Sequence, residues 1–206
     1  MHSREHWEHV YSTKAPDAVS WFQPRAETSL RLIEATGVPA DSSIIDIGGG
    51  ASTLVDDLLA KGYERVTVLD VAASALKAAQ DRLGRGAQLV TWLAADITTA
   101  ELPKDKYDLW HDRAVFHFLT RATQREAYLG AVLRAVRPGG HVIVSTFAED
   151  GPSRCSGLPV MRYSAESLHA EFGAPFTLVE HERERHHTPF GTVQLFTYCY
   201  CRKSGN

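Results

Sequence analysis

The sequence predicts an α/β fold, a three-layer, doubly wound and mostly parallel sheet of seven strands that closes with an antiparallel C-terminal strand. Three observations predict it. Short apolar, β-branched runs alternate with segments of ten or more residues whose apolar positions recur at helical spacing, which calls for right-handed crossovers between parallel strands. A glycine cluster, Gly48-Gly49-Gly50, follows the first such run and opens a helix, as ligand-binding turns do at the carboxyl edge of such sheets. Last, Thr188-Pro189-Phe190-Gly191 joins two long strand-like segments as a hairpin.

The 206 residues suffice for one well-buried core. We divide them into an N-terminal helical and aromatic segment, 1–23, and a single domain, 24–206. A net charge of −3 with scattered Lys and Arg gives no basic stripe, which argues against nucleic acid and anionic membrane as partners. The start, Met1-His2-Ser3-Arg4-Glu5-His6, is polar, and no run reaches membrane-spanning length, so a cytoplasmic location is expected. Cys155, Cys199 and Cys201 are too few for a disulfide scaffold, and no metal site is expected from them.

In chain order, Trp7 and Tyr11 lie four apart on a short helix over 4–12, and Trp21-Phe22 follow a turn-rich link. A helix begins near Pro24 and runs to Thr36, burying Leu30, Leu32 and Ile33. Ser43–Ile47 is the first strand, and a helix over Ser52–Lys61 carries Leu54, Val55, Leu58 and Leu59. Val66–Asp70, Gln88–Ala94, Tyr107–His111 and His141–Phe147 read as the next strands, and Ala72–Leu83 as an alanine-rich helix. A helix over Thr123–Val136 is expected to open on a Thr123-x-x-Glu126 capping box and to stop at Pro138-Gly139-Gly140. The loop 148–162 carries Arg154, Cys155 and Arg162, and loops of that length are often functional. Ser164–Phe172 is a short helix, and Phe176–His187 and Thr192–Arg202 form the terminal hairpin.

The glycine turn fits neither of two common nucleotide motifs. A dinucleotide fingerprint starting at Gly48 needs a glycine at position 53, which is Thr53, and no Gly-Lys-Ser or Gly-Lys-Thr follows to make a phosphate loop. What remains is Asp46-x-Gly48-Gly49-Gly50-Ala51-Ser52, with Asp70 closing the second strand and Asp96 after the third. This ordered set, over roughly residues 43–147, resembles the motifs of the class I S-adenosylmethionine-dependent methyltransferases, whose Rossmann-like sheet also ends in an antiparallel strand.

The resemblance implies a cofactor, S-adenosylmethionine, and the product S-adenosylhomocysteine. By it, Gly48, Gly49 and Gly50 approach the methionine end, Asp46 organises the turn or meets the cofactor amine, and Asp70 accepts from both ribose hydroxyls. Asp96 would accept from the adenine amino group between Ile97 and Val71, with His111, Trp7 and Tyr11 also against the cofactor. Trp110-His111-Asp112-Arg113-Ala114 is similar to the W-D-[RK]-G pattern of thiopurine-type and some protein-lysine methyltransferases, with Ala114 in place of glycine. The N-terminal Trp7-x-x-x-Tyr11 and Trp21-Phe22 resemble the aromatic lid of the latter group.

The expected activity is in-line methyl transfer to a small-molecule nucleophile, a thiol among the candidates. Protein-lysine methylation and a non-catalytic cofactor-binding subunit are the alternatives. Asp112 and His117 are the candidate catalytic residues, a histidine being the side chain that titrates near neutrality. Trp21, Phe22, Arg113, Arg154, Cys155 and Arg162 are the candidate acceptor-side residues.

Overall fold

The computed structural model describes residues 4–205, so Met1, His2 and Ser3 of the polar start lie outside the described residues. Its helices are α1 (Arg4–Thr13), α2 (Glu27–Ala35), α3 (Leu54–Ala60), α4 (Ala73–Leu83), α5 (Ala122–Ala135) and α6 (Ala165–Phe172). Its strands are β1 (Ser43–Ile47), β2 (Arg65–Asp70), β3 (Val90–Ala94), β4 (Tyr107–Arg113), β5 (Val136–Phe147), β6 (Arg154–Cys155), β7 (Leu158–Pro159), β8 (Phe176–His187) and β9 (Val193–Lys203). Seven strands form one sheet in the order β3-β2-β1-β4-β5-β9-β8, with β9 antiparallel to both neighbours. The order reverses between β1 and β4, which places a crevice beyond their carboxyl ends.

Alternation along the strands divides the core between the two faces. Ile44 of β1, Leu109 of β4, and Phe196 and Tyr198 of β9 pack with Leu30 and Ile33 of α2 and Leu54 and Leu58 of α3. Ile45 and Ile47, Trp110, Val142 and Val144 pack instead with Tyr128 and Val132 of α5 and Leu168 of α6. Burial on both faces is what makes the central strands continuous apolar runs in the sequence.

Four expectations are corrected. Helix α5 starts one residue earlier than expected, at Ala122, and the Gln124 side chain accepts from the Arg121 N–H at 3.3 Å, so the start signal is Gln124 rather than Thr123 and Glu126. Pro138-Gly139-Gly140 lies inside β5, because Val136 is already extended and pairs with Tyr107 before a register shift restarts pairing at Leu109. Gly140 is required there, since a Cβ would sit 2.9 Å from the Arg137 carbonyl. Strand β3 begins at Val90, the residues before it forming a short 3-10 turn, and the expected loop 148–162 contains the β6–β7 hairpin.

Helix α1 is latched to the domain by a carboxylate. The residue preceding α4 is Ala72, which has no side chain to cap a helix, and Glu8 of α1 accepts from the Ala73 and Ser74 N–H groups at 2.7 and 3.1 Å instead. Trp7 then packs edge-on against Phe118 and Trp21, with ring centroids 5.0 and 5.8 Å apart.

Beyond β4 the chain turns through Ala114 at φ +73°, and the Ala114 N–H donates to the Ser145 carbonyl at 2.9 Å. The similar methyltransferase pattern has glycine at this position, and an alanine held there carries left-handed strain. Ala114→Gly is expected to raise unfolding stability by about 0.5–1 kcal/mol, strain relief outweighing the added unfolded-state entropy; urea denaturation of the two proteins checks it.

Candidate functional site

The turn after β1 is shaped by what its backbone touches. Gly48, at φ +66°, donates its N–H to the Leu69 carbonyl at 2.6 Å, and a Cβ on it would lie 2.0 Å from Val115 Cγ2. A Cβ on Gly49 would lie 2.4 Å from Asp46 Oδ2, and one on Gly50, at φ +43°, 2.7 Å from Asp70 Oδ2. Two carboxylates therefore press on a bare backbone, and only glycine fits at all three positions.

Two adjoining lobes open over this turn. The first is lined by Asp46, Gly48, Gly49, Ser52, His111, Trp21 and Phe22. The second is lined by Asp70, Val71, Val115, Phe118, Trp7 and Cys155. Tyr11, Trp21, Gly48 and Arg113 border both. The crevice thus brings together residues of α1, the turn, the ends of β2 and β4, and the β6–β7 hairpin.

Each ionisable wall group has a distinct environment. Burial pushes the Asp70 carboxyl up to about 7, opposed by the Ala72 N–H it accepts at 2.8 Å and reinforced by the Asp46 charge. Burial, then the Asp70 charge, raises the Tyr11 phenol, whose oxygen accepts from Trp21 Nε1 at 3.3 Å. Burial pushes the Cys155 thiol up to about 12, so it stays protonated.

Under the first lobe lies a buried polar row. His111 Nδ1 is 2.7 Å from Asp46 Oδ1, and its Nε2 is 2.9 Å from Ser29 Oγ. Arg113 donates from Nε to the Tyr198 hydroxyl at 3.0 Å, from Nη2 to Glu184 at 3.1 Å and from Nη1 to the Trp21 carbonyl at 3.2 Å, and its guanidinium stacks on Phe196. Ser29, Glu184 and Tyr198 were missed by sequence reasoning. Tyr198 on the buried face of β9 was the one signal, as a tyrosine in a core needs a partner for its hydroxyl.

Several candidate residues do not reach the crevice. Asp112 pairs in register with Ile47, on the opposite face of β4 from His111. It accepts from the Val115 and Phe116 N–H groups at 2.8 and 3.1 Å and from the Tyr128 hydroxyl at 2.6 Å, so it fixes the turn after β4 rather than touching a substrate. His117 is fully buried between Phe118 and Phe147, accepts from the Phe147 N–H at 3.3 Å, and is held down at about 3 by burial and by the Arg113 charge, which removes it as a base. Asp96 accepts from the N–H and hydroxyl of Thr98 at 2.8 and 2.7 Å, closing its own turn, and Ile97 is buried in the core. Neither lines the two lobes. Arg154 and Arg162 are exposed and bond to loop carbonyls, of Gly157 and Gly151.

The turn and Asp70 fit a nucleoside cofactor with an amino-acid tail. The glycines leave bare backbone beside Asp46 with room for such a tail, and the buried carboxyl at the end of β2 has acceptor capacity that two ribose hydroxyls would match. Asp96 and Ile97, expected at the adenine edge, do not line the two lobes.

Residues 44–140 match the family model described as a methyltransferase domain. With the sheet order and the glycine turn, this makes the chain similar to the class I S-adenosylmethionine-dependent methyltransferases. Among relatives, an uncharacterised methyltransferase of Mycobacterium tuberculosis is 33% identical over 127 residues, 62% of this chain and 60% of that protein. The ubiquinone/menaquinone biosynthesis C-methyltransferase of Azotobacter vinelandii is 31% identical over 121 residues, 57% of this chain and 47% of that protein. The chain thus spans 60% or less of the length of these relatives. Among solved structures, the N-methyltransferase NodS of Bradyrhizobium japonicum with S-adenosylhomocysteine has a TM-score of 0.73 at 18% identity, covering 95% of this chain and 97% of that one. The [4+2]-cyclase SpnF scores 0.71 at 15% identity over 98% and 93%, so the fold alone does not set the reaction.

Two variants separate structural from crevice roles. Asp112→Ala is expected to cost about 3 kcal/mol of stability by orphaning three donors, read as a lowered denaturant midpoint. For pH, His117 has a folded pKa below its unfolded value of 6.5, so its contribution is complete above pH 6.5 and lost as pH falls toward 3. Asp70 and Asp112 lie above their unfolded 3.8, so theirs are complete below pH 3.8 and lost as pH rises through 7. His117→Asn removes only the first, so its stability should decline more steeply than native as pH rises from about 4 to 6.5.

Proposed function

We propose that the protein is an S-adenosylmethionine-dependent methyltransferase acting on a small-molecule nucleophile, a thiol among the candidates. The observation that carries this reading is the bare glycine turn between Asp46 and Asp70 opening into a lobe roofed by Trp7, Tyr11 and Trp21. The cofactor supplies an electrophilic methyl on a sulfonium. The residues of the chain bind and orient: Asp70 takes the ribose hydroxyls, Val71 packs beside the base, Asp46 meets the amino group, and segment 1–23 serves as the lid. Aromatic walls exclude water from the transfer.

Among the described crevice side chains, none is left as a general base once Asp46 and Asp70 hold the cofactor. His111 has both ring nitrogens engaged, Cys155 stays a thiol, and Asp112 and His117 are buried elsewhere. A soft nucleophile, which reacts without a strong base once aligned, suits such a site. Arg113, which borders both lobes, is neutralised by Glu184, and Trp7, Trp21 and Phe118 add an apolar wall beside the cofactor, which suits an uncharged acceptor.

Protein-lysine methylation has one supporting observation, the aromatic N-terminal element on the lobe. Against it, Glu184 is engaged by Arg113 and by Gln23 at 2.7 Å, and on this reading Asp46 and Asp70 are taken by the cofactor, which leaves no carboxylate for a lysine ammonium. Incubation of lysate with methyl-labelled cofactor followed by size fractionation separates the readings, and label confined to protein would sink the small-molecule one. Label in no fraction, with the cofactor still bound, would favour the non-catalytic subunit.

Calorimetry is expected to show S-adenosylhomocysteine binding that Asp70→Ala weakens severely. Because Asp70 sits near 7 and binds the ribose as a carboxylate, affinity should rise as pH increases through 7, with proton release on binding. Proton uptake, or no binding heat from native protein, would contradict the assignment.

A further inference from the structure

The buried row beneath the first lobe is continuous from the turn to the far side of the sheet. Asp46 contacts His111, His111 contacts Ser29, Ser29 Oγ lies 3.3 Å from the Tyr198 hydroxyl, and Tyr198 accepts from Arg113. These side chains come from β1, β4, α2 and β9, and Asp46, His111, Ser29 and Tyr198 are each 3% exposed or less. Proton placement along such a chain follows from what each group is able to give.

The two ends are fixed. Guanidinium has no acceptor, so Arg113 Nε–H donates and the Tyr198 oxygen accepts; an ionised Asp46 has no proton, so it accepts from His111 Nδ1–H. Burial pushes the Tyr198 phenol up to about 12, so it keeps one proton to donate. Ser29 also has one proton, and its nearer neighbour is His111 Nε2, at 2.9 Å against 3.3 Å to Tyr198. Tyr198 is equidistant, at 3.3 Å, from Ser29 Oγ and Glu184 Oε2. Glu184 already receives Arg113 and Gln23, whereas Ser29, having given its proton to His111, needs a donor. Two directions of donation satisfy every group, and the first runs from Arg113 to Tyr198 to Ser29 to His111 to Asp46.

We propose that Ser29 and Tyr198 are positioning residues that hold His111 neutral, protonated on Nδ1 only, so that Asp46 stays an uncompensated carboxylate for the amino group of the cofactor. This rests on the cofactor reading above. The opposite direction has His111 as imidazolium donating to Ser29, Ser29 to Tyr198 and Tyr198 to Glu184. It would neutralise Asp46 beside the place where a cation is to bind. Removing the Tyr198 hydroxyl leaves Ser29 Oγ open to accept from Nε2–H, so that the carboxylate spends its charge on the imidazolium, and removing the Ser29 hydroxyl leaves Nε2 without the donor that fixes the ring.

Nitrogen-15 NMR of the His111 ring in native protein near neutral pH tests the proton placement. One protonated nitrogen, Nδ1, and one unprotonated, Nε2, are expected; two protonated nitrogens, or a proton on Nε2 alone, overturn the proposal. Calorimetry tests the consequence with two ligands, S-adenosylhomocysteine and methylthioadenosine, which carries the nucleoside without the amino-acid tail. Ser29→Ala and Tyr198→Phe are expected to weaken the first roughly ten-fold, the size of one charge-assisted hydrogen bond, and to leave the second unchanged, with Ser29→Thr restoring the first. Equal loss for both ligands would mean the row only supports the fold, and overturns the proposal. Failure of native protein to bind either ligand would overturn the cofactor reading and the role assigned to Asp46, while the nitrogen signals would still decide the direction of the chain.

Discussion

The site depends on one steric constraint, a backbone turn at Gly48–Gly50 squeezed between Asp46, Asp70 and Val115 with no room for a methyl group. Because β1 pairs with β2 on one side and β4 on the other, the turn is also where the sheet order reverses. The carboxylates that exclude side chains from the turn are the same groups that face the crevice. Packing and recognition are therefore not separable here, and a substitution that relieves the crowding also alters the charge offered to a ligand.

The parity of β4 sorts its polar residues into two unlike roles. His111 and Arg113 face α2 and β9 and enter the buried row, while Asp112 faces α5 and ties down the turn that carries Val115 against Gly48. One strand thus supports the crevice from both faces, through hydrogen bonds on one and through loop geometry on the other. Arg113 is the hinge between them, bordering both lobes while its charge is balanced by Glu184 from the edge strand.

Strand and helix order, the glycine turn and Asp70 were legible because each is a local pattern: periodicity, a run of glycines, an acid closing a strand. The polar row was not, since Glu184 lies 71 residues from Arg113 and Tyr198 169 from Ser29, and nothing local marks such partners. Asp112 was misread for a narrower reason. Once the strand runs on to Arg113, alternation places Asp112 away from His111, and ending it at His111 hid that. Asp96 reads as a ligand in sequence but closes its own turn on Thr98, a use of aspartate that competes with any binding role. The Thr123-x-x-Glu126 capping signal lost to Arg121 and Gln124, two residues earlier, within the scatter of helix ends.

The three thiols occupy different depths of this architecture. Cys199 and Cys201 lie on one face of β9, their sulfurs 3.4 Å apart, beneath α5 and α6, whereas Cys155 sits in the short hairpin beside the aromatic roof. All three are buried and unoxidised. Alkylation therefore runs on two clocks: the β9 pair reacts only through opening of the whole sheet, and Cys155 through local departure of the hairpin or of α1. The molecule carries its own reporters for telling breathing of the crevice from unfolding.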